Sequence, residues 1–273
     1  MEPMTIREIM DAVGGKLLGE FGDINRMVGR VETDSRTIHA GSLFVPLVGE
    51  RFDGHAYINA ALEGGAAGCF TQRERESYLP GKFYIKVDST QRALRDLAKY
   101  YKKKFPIPVV ALTGSVGKTT TKDMVAAVLG EKYRVLKTEG NLNNEIGVPM
   151  TLLRLSGEHE IAVLELGMNH AGEIDYLSAL VEPDVVLMTN IGDSHIEHFG
   201  SREKILEAKS EIFQAMGPED LAVLNGDDPL LRTLDGKLSS QTLYCGADRE
   251  PPYRAREIPV SYTHLTLPTT SRV

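Results

Sequence analysis

The sequence predicts an α/β protein of two domains, the larger of which contains a parallel sheet. From Val109 onward, short apolar runs alternate with helical patterns. Continuous apolar strands between helices are typical of a parallel sheet that is covered on both faces. The chain has 273 residues, which exceeds the size of one small domain. Shorter strand-like runs before Val109 indicate a second, smaller α/β unit.

The first element is a helix that begins after Thr5. Thr5 and Glu8 have the spacing of a capping box, and Gly14-Gly15 supplies the stop. The strand-like runs "SLFVPLVG" and "KFYIKV" flank the helical pattern "AYINAALEGGAAG". These patterns predict a small α/β domain over residues 1–86. A helical linker is expected over 87–105, where "STQRALRDLAKYYKKKFPIP" ends at prolines.

The middle of the chain carries the alternation that predicts the parallel sheet. Its strand patterns are "PVVALTG", "EIAVLELG", "DVVLMTNIG", "DLAVLNGDD" and "TLYCGA". Its helical patterns are "TTTKDMVAAVLGEKY", "EIDYLSALV" and "REKILEAKSEIFQAM". We therefore expect a sheet domain over 106–258. The last segment, "PVSYTHLTLPTTSRV", fits no earlier pattern and resembles translated vector sequence, so 259–273 is predicted to be an artefactual tail.

Composition excludes several classes of partner. The net charge is −7, which gives no electrostatic footprint for nucleic acid or for an anionic membrane. Cys69 and Cys245 are far apart and lack metal-ligand spacing, so a reducing compartment is favoured over a disulfide framework. Neither a signal peptide nor an apolar run of transmembrane length is found in the sequence. We expect a cytoplasmic monomer that neither binds nucleic acid nor inserts into a membrane.

The stretch "VVALTGSVGKTTTKDM" has the context of a phosphate-binding loop: an apolar strand, a glycine turn and a helix start. Gly114 and Gly117 allow backbone N–H groups to close around phosphate oxygens. Lys118 can neutralise the phosphates, and the Thr119 hydroxyl can reach Mg²⁺. The strict motif is not matched, because Leu112 stands where its first glycine belongs. The alternative is a chance glycine turn, but the flanking strand and helix favour nucleotide binding.

Polar residues follow two of the apolar strands, at the sheet edge where ligands gather in α/β folds. Glu165 ends "EIAVLELG", and a carboxylate there loses hydration unless it meets a cation. Asn190, Asp193 and His195 follow "DVVLMT". The alternatives are a solvated glutamate at the end of a strand and a surface histidine.

Two further features leave their alternatives open. Lys209 has helical spacing to Ile205, Ile212 and Phe213, which places it in an apolar stripe. Such a lysine either extends its ammonium to the edge of the stripe or serves chemistry. The polar loop "TEGNLNNEIGVP" is either a plain turn or a source of donors for phosphate and amide groups.

Taken together, several motifs resemble the ATP-dependent Mur ligases of peptidoglycan synthesis, and most closely their MurF type. The motifs are "TGSVGKTTTK", "GNLNNEIGVP", "ELGMNHAGEI", "TNIGDSHIEHFGS", "EAKSEIF" and "LNGDDP". In the first domain, "TDSRTIHAGSLFVPLVGERFDGHAY" looks like the segment of that family that binds the uridine nucleotide. The resemblance extends from Thr5 to about Pro259.

The resemblance implies a reaction and its partners. ATP would phosphorylate the terminal carboxylate of UDP-N-acetylmuramoyl-tripeptide, and the amine of D-alanyl-D-alanine would attack the resulting acyl phosphate. The expected cofactors are ATP and Mg²⁺. Positioning and preorganised charge supply most of the catalysis in such a reaction.

The resemblance also implies roles for individual residues. The triphosphate would be held by Gly114, Ser115, Val116, Gly117, Lys118, Thr119 and Thr120. Thr119 and Glu165 would bind one Mg²⁺, and His195 a second, beside a carbamylated Lys209. Asn144 would lie near phosphate or substrate, and Asn225 with the aspartates of "NGDD" near the adenosine. The contacts to the UDP-sugar would come from Ser35, Arg36, Arg51 and His55.

Members of the family continue into a third domain that resembles a dinucleotide-binding fold, whereas this sequence stops matching near Pro259. We therefore expect a C-terminally truncated ligase that does not turn over by itself. The alternatives within the class are another Mur ligase and a folylpolyglutamate synthase-like ligase. A P-loop GTPase is disfavoured, since "TNIGDSH" is not the N-K-x-D guanine reader and "ELGMNH" lacks the D-x-x-G pattern. A non-catalytic nucleotide binder is the remaining alternative.

Overall fold

The computed structural model describes residues 1–49, 52–247 and 253–254. Its strands are β1 (Met4–Thr5), β2 (Lys16–Leu18), β3 (Met27–Val28), β4 (Val31–Glu32), β5 (Leu43–Phe44), β6 (Val48–Gly49), β7 (Phe52–Asp53), β8 (Gly68–Thr71), β9 (Phe83–Lys86), β10 (Val109–Thr113), β11 (Val135–Lys137), β12 (Ile161–Glu165), β13 (Val185–Met188), β14 (Leu221–Asn225), β15 (Gln241–Gly246) and β16 (Tyr253–Arg254). Its α-helices are α1 (Ile6–Ala12), α2 (Ile58–Glu63), α3 (Thr90–Lys102), α4 (Lys118–Gly130), α5 (Gly147–Leu152), α6 (Glu173–Val181), α7 (Ile196–Phe199) and α8 (Arg202–Ser210). Short 3₁₀ helices span Gly54–Tyr57, Glu211–Phe213 and Leu231–Leu234.

The N-terminal region forms a five-stranded sheet in the order β2-β9-β8-β5-β4, with β2 antiparallel and the other pairs parallel. Helix α1 begins as the sequence predicts. The Thr5 hydroxyl accepts the N–H of Glu8, and the Glu8 carboxylate accepts the N–H of Thr5. This reciprocal pair satisfies two backbone donors at the start of the helix. The α/β character expected of this region is therefore present.

The helix predicted over "AYINAALEGGAAG" is shorter than expected. It begins as a 3₁₀ turn, continues as α2 and ends at Glu63, before Gly64-Gly65. The last residue of the segment, Gly68, instead begins β8, which is buried and pairs with β5 and β9. Tertiary pairing in the middle of the sheet therefore overrides the helical pattern at the end of that segment.

Helix α3 lies within the predicted linker but packs against both domains. Its apolar face contacts α1 on one side and α5 and α6 on the other. The hydroxyl of buried Tyr101 accepts the N–H of Glu2 at 2.6 Å and donates to the carbonyl of Leu155 at 2.6 Å. One hydrophobic core extends across both regions through this helix. The boundaries at 86, 105 and 258 remain predictions, and the tail 259–273 lies outside the described residues.

The second sheet is parallel, as predicted, and has seven strands in the order β11-β12-β10-β13-β14-β15-β16. The short strand β11 was not expected from the sequence. The strands β10, β12, β13 and β14 all end at one side, which we call the carboxyl edge. Because parallel strands deliver their following loops to the same edge, residues distant in sequence meet there. No helix in the described part of the chain is both long and apolar enough to span a bilayer.

Candidate functional site

The loop between β10 and α4 needs glycine at two positions. Gly114 has φ +149°, and a Cβ added there would lie 2.0 Å from Oγ1 of Thr189. Gly117 has φ +82° and is the N-cap of α4. Residues with a side chain rarely adopt these backbone conformations, so the path of the backbone requires glycine at both positions. The loop can then turn sharply from the buried strand into the helix.

This loop presents positive groups at the carboxyl edge. The first N–H groups of α4, from Lys118 onward, have no partner within the helix and carry the positive end of its dipole. The Lys118 ammonium folds back over the loop and donates to the carbonyl of Gly114 at 3.0 Å. Ser115 is buried, while Val116 is 64% exposed. An anion at the start of α4 therefore meets backbone donors and one lysine.

Glu165 lies at the end of β12 and is only 1% exposed. Its carboxylate accepts the Thr119 hydroxyl at 3.0 Å on Oε2 and the Asn143 amide at 2.8 Å on Oε1. Its backbone N–H donates to the Thr138 hydroxyl at 3.0 Å. The structure thus brings Thr119 and Glu165 together, as the sequence prediction requires of shared metal ligands. The oxygens of this pair are the type of ligand that Mg²⁺ prefers.

Asn143 was missed by sequence reasoning, which selected its neighbour Asn144. The Asn144 side chain accepts the N–H groups of Ile146 at 3.2 Å and Gly147 at 2.8 Å. Asn144 therefore holds the start of α5, while Asn143 supports the carboxylate. The run of asparagines in the sequence indicates that this loop is functional. Because an irregular segment has no regular side-chain periodicity, the sequence does not show which asparagine faces the site.

His195 and Lys209 lie close enough to Lys118 for the three charges to interact. Lys209 is 2% exposed, and burial together with the charge of Lys118 lowers its pKa to about 8. Burial also lowers the pKa of His195, and the charges of Lys209 and Lys118 lower it further. His195 has φ +66° at the N-cap of α7, an uncommon conformation for a residue other than glycine. The structure therefore brings these three predicted residues into one cluster of cationic groups.

No group of three His, Cys, Asp or Glu side chains with metal-binding geometry exists among the residues that the structure describes. The predicted metal ligands include the hydroxyl of Thr119 and a carbamylated Lys209, and neither of these is a His, Cys, Asp or Glu side chain. Asp193, which follows the same strand, is exposed and pairs with Arg202 at 2.6 and 2.7 Å. The Asp193 carboxylate is thus engaged away from Glu165.

Asn225 is the last residue of β14, and its side chain connects the loop that follows β14 to the segment that follows β13. Its amide donates to the carbonyl of Thr189 at 3.0 Å and accepts the N–H of Asp227 at 3.0 Å. Asp228 accepts the N–H of Ile191 at 2.7 Å. A cavity of about 310 Å³ opens beside these residues. The region predicted to lie near adenosine is therefore concave, although its polar side chains also tie two loops together.

The residues predicted to bind the UDP-sugar lie in the N-terminal domain, apart from the phosphate loop. Ser35 and Arg36 line a cavity of about 390 Å³ together with the aromatic rings of Phe52 and Tyr57. These two rings stack with centroids 5.5 Å apart, and both are about half exposed. Arg36 forms an exposed ion pair with Asp34, which lowers the pKa of that carboxyl to about 2. The cavity thus combines a charged group with an aromatic wall.

His55 has both ring nitrogens engaged within the protein. Nδ1 lies 2.7 Å from an oxygen of Asp53, and Nε2 accepts the N–H of Gln72 at 3.1 Å. Its side chain is 8% exposed, so the structure gives it a supporting position behind the surface. A direct contact of His55 with a ligand stays a prediction. Arg51 lies outside the described residues.

The chain matches two family models. The model "Mur ligase middle domain" matches residues 112–268, and "Mur ligase family, catalytic domain" matches residues 28–102. The first match alone covers more than half of the chain. The chain belongs to the Mur ligase family. The middle-domain match extends past 258 into the segment assigned to the artefactual tail, and that assignment stays a prediction.

This Mur ligase chain is also similar to individual proteins. It is 42% identical over 96% of its length to the UDP-N-acetylmuramoyl-tripeptide--D-alanyl-D-alanine ligase of Bacillus subtilis, of which it covers 57%. It is 42% identical over 84% of its length to the Escherichia coli ligase of the same name, of which it covers 49%. The chain spans about half the length of the curated relatives it matches.

Solved structures agree with these relatives. MurF from Acinetobacter baumannii superimposes with a TM-score of 0.83 at 36% identity, over 90% of this chain and 54% of that one. MurF from Thermotoga maritima in complex with ADP gives a TM-score of 0.74 at 36% identity, over 81% of this chain and 51% of that one. The arrangement of a small α/β domain followed by a parallel-sheet domain is therefore that of MurF structures.

Proposed function

We propose that this chain provides the muramoyl-substrate-binding and nucleotide-binding parts of a MurF-type ligase. Such a ligase joins D-alanyl-D-alanine to UDP-N-acetylmuramoyl-tripeptide at the expense of ATP, in cytoplasmic synthesis of peptidoglycan precursors. The observation that carries the proposal is the hydrogen bond between Thr119 and buried Glu165, directly beside Lys118 at the start of α4. The names and structures of the relatives support the substrate class. We propose that the protein acts as a monomer.

The triphosphate of ATP would lie along residues 114–120. The backbone donors at the start of α4 and the Lys118 ammonium suit the β- and γ-phosphates, because both present positive charge to one small volume. The ADP in the Thermotoga maritima relative supports a nucleotide at this edge. The adenosine would extend toward the cavity beside Asn225.

The residues present fit Mg²⁺ at one position without modification. The Thr119 hydroxyl and the Glu165 carboxylate are oxygen donors on a buried, fixed frame. At the second position, His195 suits a metal, whereas the protonated amine of Lys209 repels one. Carbamylation would convert that amine into a carboxylate-like group, and a lowered pKa favours it by leaving more neutral amine. Bound Mg²⁺ would neutralise phosphate charge.

The reaction requires two anions to meet. An oxygen of the tripeptide carboxylate forms a bond to the γ-phosphorus, and the bond from that phosphorus to ADP breaks. The amine of D-alanyl-D-alanine then attacks the acyl carbon, phosphate leaves with its electron pair, and the amine loses a proton. The contribution of this chain is to hold the γ-phosphate against Lys118 and to place the carboxylate beside it.

The UDP moiety would bind in the N-terminal cavity lined by Ser35 and Arg36. A guanidinium suits a diphosphate, and the exposed faces of Phe52 and Tyr57 suit stacking against a planar base. His55 would support this surface from behind. Arg51 remains a proposed contact from the sequence alone.

Calorimetric titration tests the proposal with the 273-residue chain. We expect saturable binding of ADP that tightens with Mg²⁺, and separate saturable binding of UDP-N-acetylmuramoyl-tripeptide. Binding of ADP without the muramoyl peptide would contradict the substrate assignment and leave a nucleotide-binding protein. Binding of neither ligand by the folded chain would contradict both assignments.

A further inference from the structure

The side chain of Asn190 forms two hydrogen bonds to one residue of the phosphate loop. Its Oδ1 accepts the N–H of Val116 at 3.0 Å, and its Nδ2 donates to the carbonyl of Val116 at 3.1 Å. The backbone carbonyl of Asn190 also accepts the N–H of Ser115 at 2.9 Å. Asn190 thus pairs with the loop much as one strand pairs with another.

Neighbouring side chains add to this pairing. The Thr189 hydroxyl donates to the carbonyl of Val116 at 2.7 Å, and the Ser194 hydroxyl donates to the carbonyl of Ser115 at 3.1 Å. The position of Asn190 is itself fixed, because β13 ends two residues earlier with Met188 paired to Thr113 of β10. We call these hydrogen bonds of Thr189, Asn190 and Ser194 to the loop the brace. The brace connects the loop to the segment that leads to His195.

The Val116 side chain does not anchor the loop by packing, since it is 64% exposed. A segment with few buried apolar contacts and exposed backbone groups has low local stability unless hydrogen bonds hold it. The N–H groups that would meet phosphate follow immediately, at the start of α4. Their direction depends on where residues 115 and 116 lie.

We propose that Asn190 is a positioning residue for the phosphate loop, holding Ser115 and Val116 so that the N–H groups at the start of α4 converge on the bound phosphates. This inference rests on the proposed nucleotide binding. An amide suits the position, because its oxygen accepts one hydrogen bond from Val116 while its separate nitrogen donates another to the same residue. An aspartate accepts but does not donate, and it adds a negative charge beside the phosphates. The sequence placed Asn190 among candidates for the metal side of the site, whereas its amide faces the loop.

The test compares Asn190→Ala with the wild-type chain and with Asn59→Ala. Asn59 is an exposed residue of α2, far along the chain from the loop, and controls for loss of an asparagine. Titration with ADP in the absence of metal isolates the phosphate loop from any metal contribution. Hydrogen exchange of the Ser115 and Val116 amides, measured without nucleotide, reports the brace directly.

We expect Asn190→Ala to weaken ADP binding about tenfold, as when the loop keeps its binding-competent position about a tenth of the time. The two loop amides should exchange faster, while the core amides of β12 and β13 keep wild-type protection. Thr189→Val removes one bond to the loop and should weaken ADP binding less. Because Asn190→Ala can reduce yield of folded protein, Asn190→Ser is measured in parallel, with the same expectation.

Wild-type ADP affinity in folded Asn190→Ala and Asn190→Ser would overturn the inference. A lower melting temperature with unchanged ADP affinity would also overturn it, since that result describes a merely structural residue. If the wild-type chain itself fails to bind ADP, the proposed function fails and the exchange data decide about Asn190. Faster exchange at Ser115 and Val116 then supports the positioning role, and unchanged exchange rejects it.

Discussion

The two candidate binding regions differ in how their side chains are held. At the carboxyl edge of the middle sheet, Glu165 and Lys209 are at most 2% exposed, and Glu165 has partners on both carboxylate oxygens. In the N-terminal cavity, the Arg36 side chain is 86% exposed and pairs with the nearby carboxylate of Asp34. The first region is ordered by the fold before a ligand arrives. In the second, the charged side chain is exposed to solvent.

This difference separates two kinds of mutational effect. At a buried, hydrogen-bonded site, a substitution alters both folding stability and ligand binding, because the same contacts serve both. At an exposed pair, a substitution leaves stability unchanged, and only ligand affinity reports its role. The predictions below test that contrast.

The largest effect is expected for Gly114→Ala. The new methyl would lie 2.0 Å from the Thr189 hydroxyl, on a backbone with φ +149°. We expect the free energy of unfolding to fall by about 3 kcal/mol and ADP binding to become undetectable. Urea denaturation and calorimetry measure the two quantities.

Gly130→Ala is the matched control. A Cβ at Gly130 meets no atom within 4 Å, and this residue ends α4. We expect unchanged or slightly raised stability and wild-type ADP affinity. Equal behaviour of the two variants would show that the turn at Gly114 is not tightly constrained.

The next effect concerns the buried charge of Lys209, whose pKa is about 8 in the folded chain against 10.5 normally. A base with a lowered folded pKa binds fewer protons when folded, so stability rises with pH between these two values. The free-energy cost of burying the charged ammonium of Lys209 is fully present below about pH 8. We therefore expect Lys209→Met to raise the free energy of unfolding by about 3 kcal/mol at pH 7 and by about 2 kcal/mol at pH 9.

Urea denaturation of wild type and variant at both pH values measures this gain. Glu207→Met on the same helix controls for the added methionine, since Glu207 is exposed. A gain that is equal at pH 7 and pH 9 would mean that Lys209 is not a buried, titrating amine. A loss of stability would mean that its ammonium has a favourable partner.

A smaller effect distinguishes the two neighbouring asparagines. Asn143→Ala removes a donor from the Glu165 carboxylate, so we expect Mg²⁺ to tighten ADP binding less, while metal-free ADP affinity stays the same. Asn144→Ala removes the side-chain acceptor of the N–H groups of Ile146 and Gly147, and it should cost about 1 kcal/mol of stability without changing the Mg²⁺ effect. The reverse pattern in calorimetry would place Asn144, as the sequence suggested, at the nucleotide.

The smallest effect on folding is expected for Arg36→Ala. Its melting temperature should equal that of the wild type, because the guanidinium and its partner Asp34 are exposed. Affinity for UDP-N-acetylmuramoyl-tripeptide should fall about tenfold, as for loss of one charged hydrogen bond, with ADP affinity unchanged. Arg134→Ala, another exposed ion-pair residue, should change neither affinity. Unchanged affinity for the muramoyl peptide in Arg36→Ala would remove Arg36 from the proposed site.

The sequence predicted the middle sheet and its edge well, because apolar strands and a glycine turn are local patterns. The pairing of Thr119 with Glu165 followed from parallel topology, which places the ends of β10 and β12 side by side. The apolar stripe correctly indicated burial of Lys209.

Other features could not be derived from local patterns. The choice between Asn143 and Asn144 depends on the path of an irregular loop, and β8 became a strand through pairing with its neighbours. The engagement of both nitrogens of His55 depends on Asp53 and on Gln72, the second of which is 17 residues away and follows β8. Tertiary contacts of this kind have no signature in a single segment.

Helix α3 packs against both regions of the molecule, and this packing limits how they can move relative to each other. Its buried face and Tyr101 join the N-terminal sheet to the middle sheet through one continuous core. Moving one region against the other would expose that core. The shared core therefore opposes changes in the distance between the N-terminal cavity and the phosphate loop. If the proposed substrate is anchored at Arg36, its length decides whether its carboxylate can lie beside Lys118.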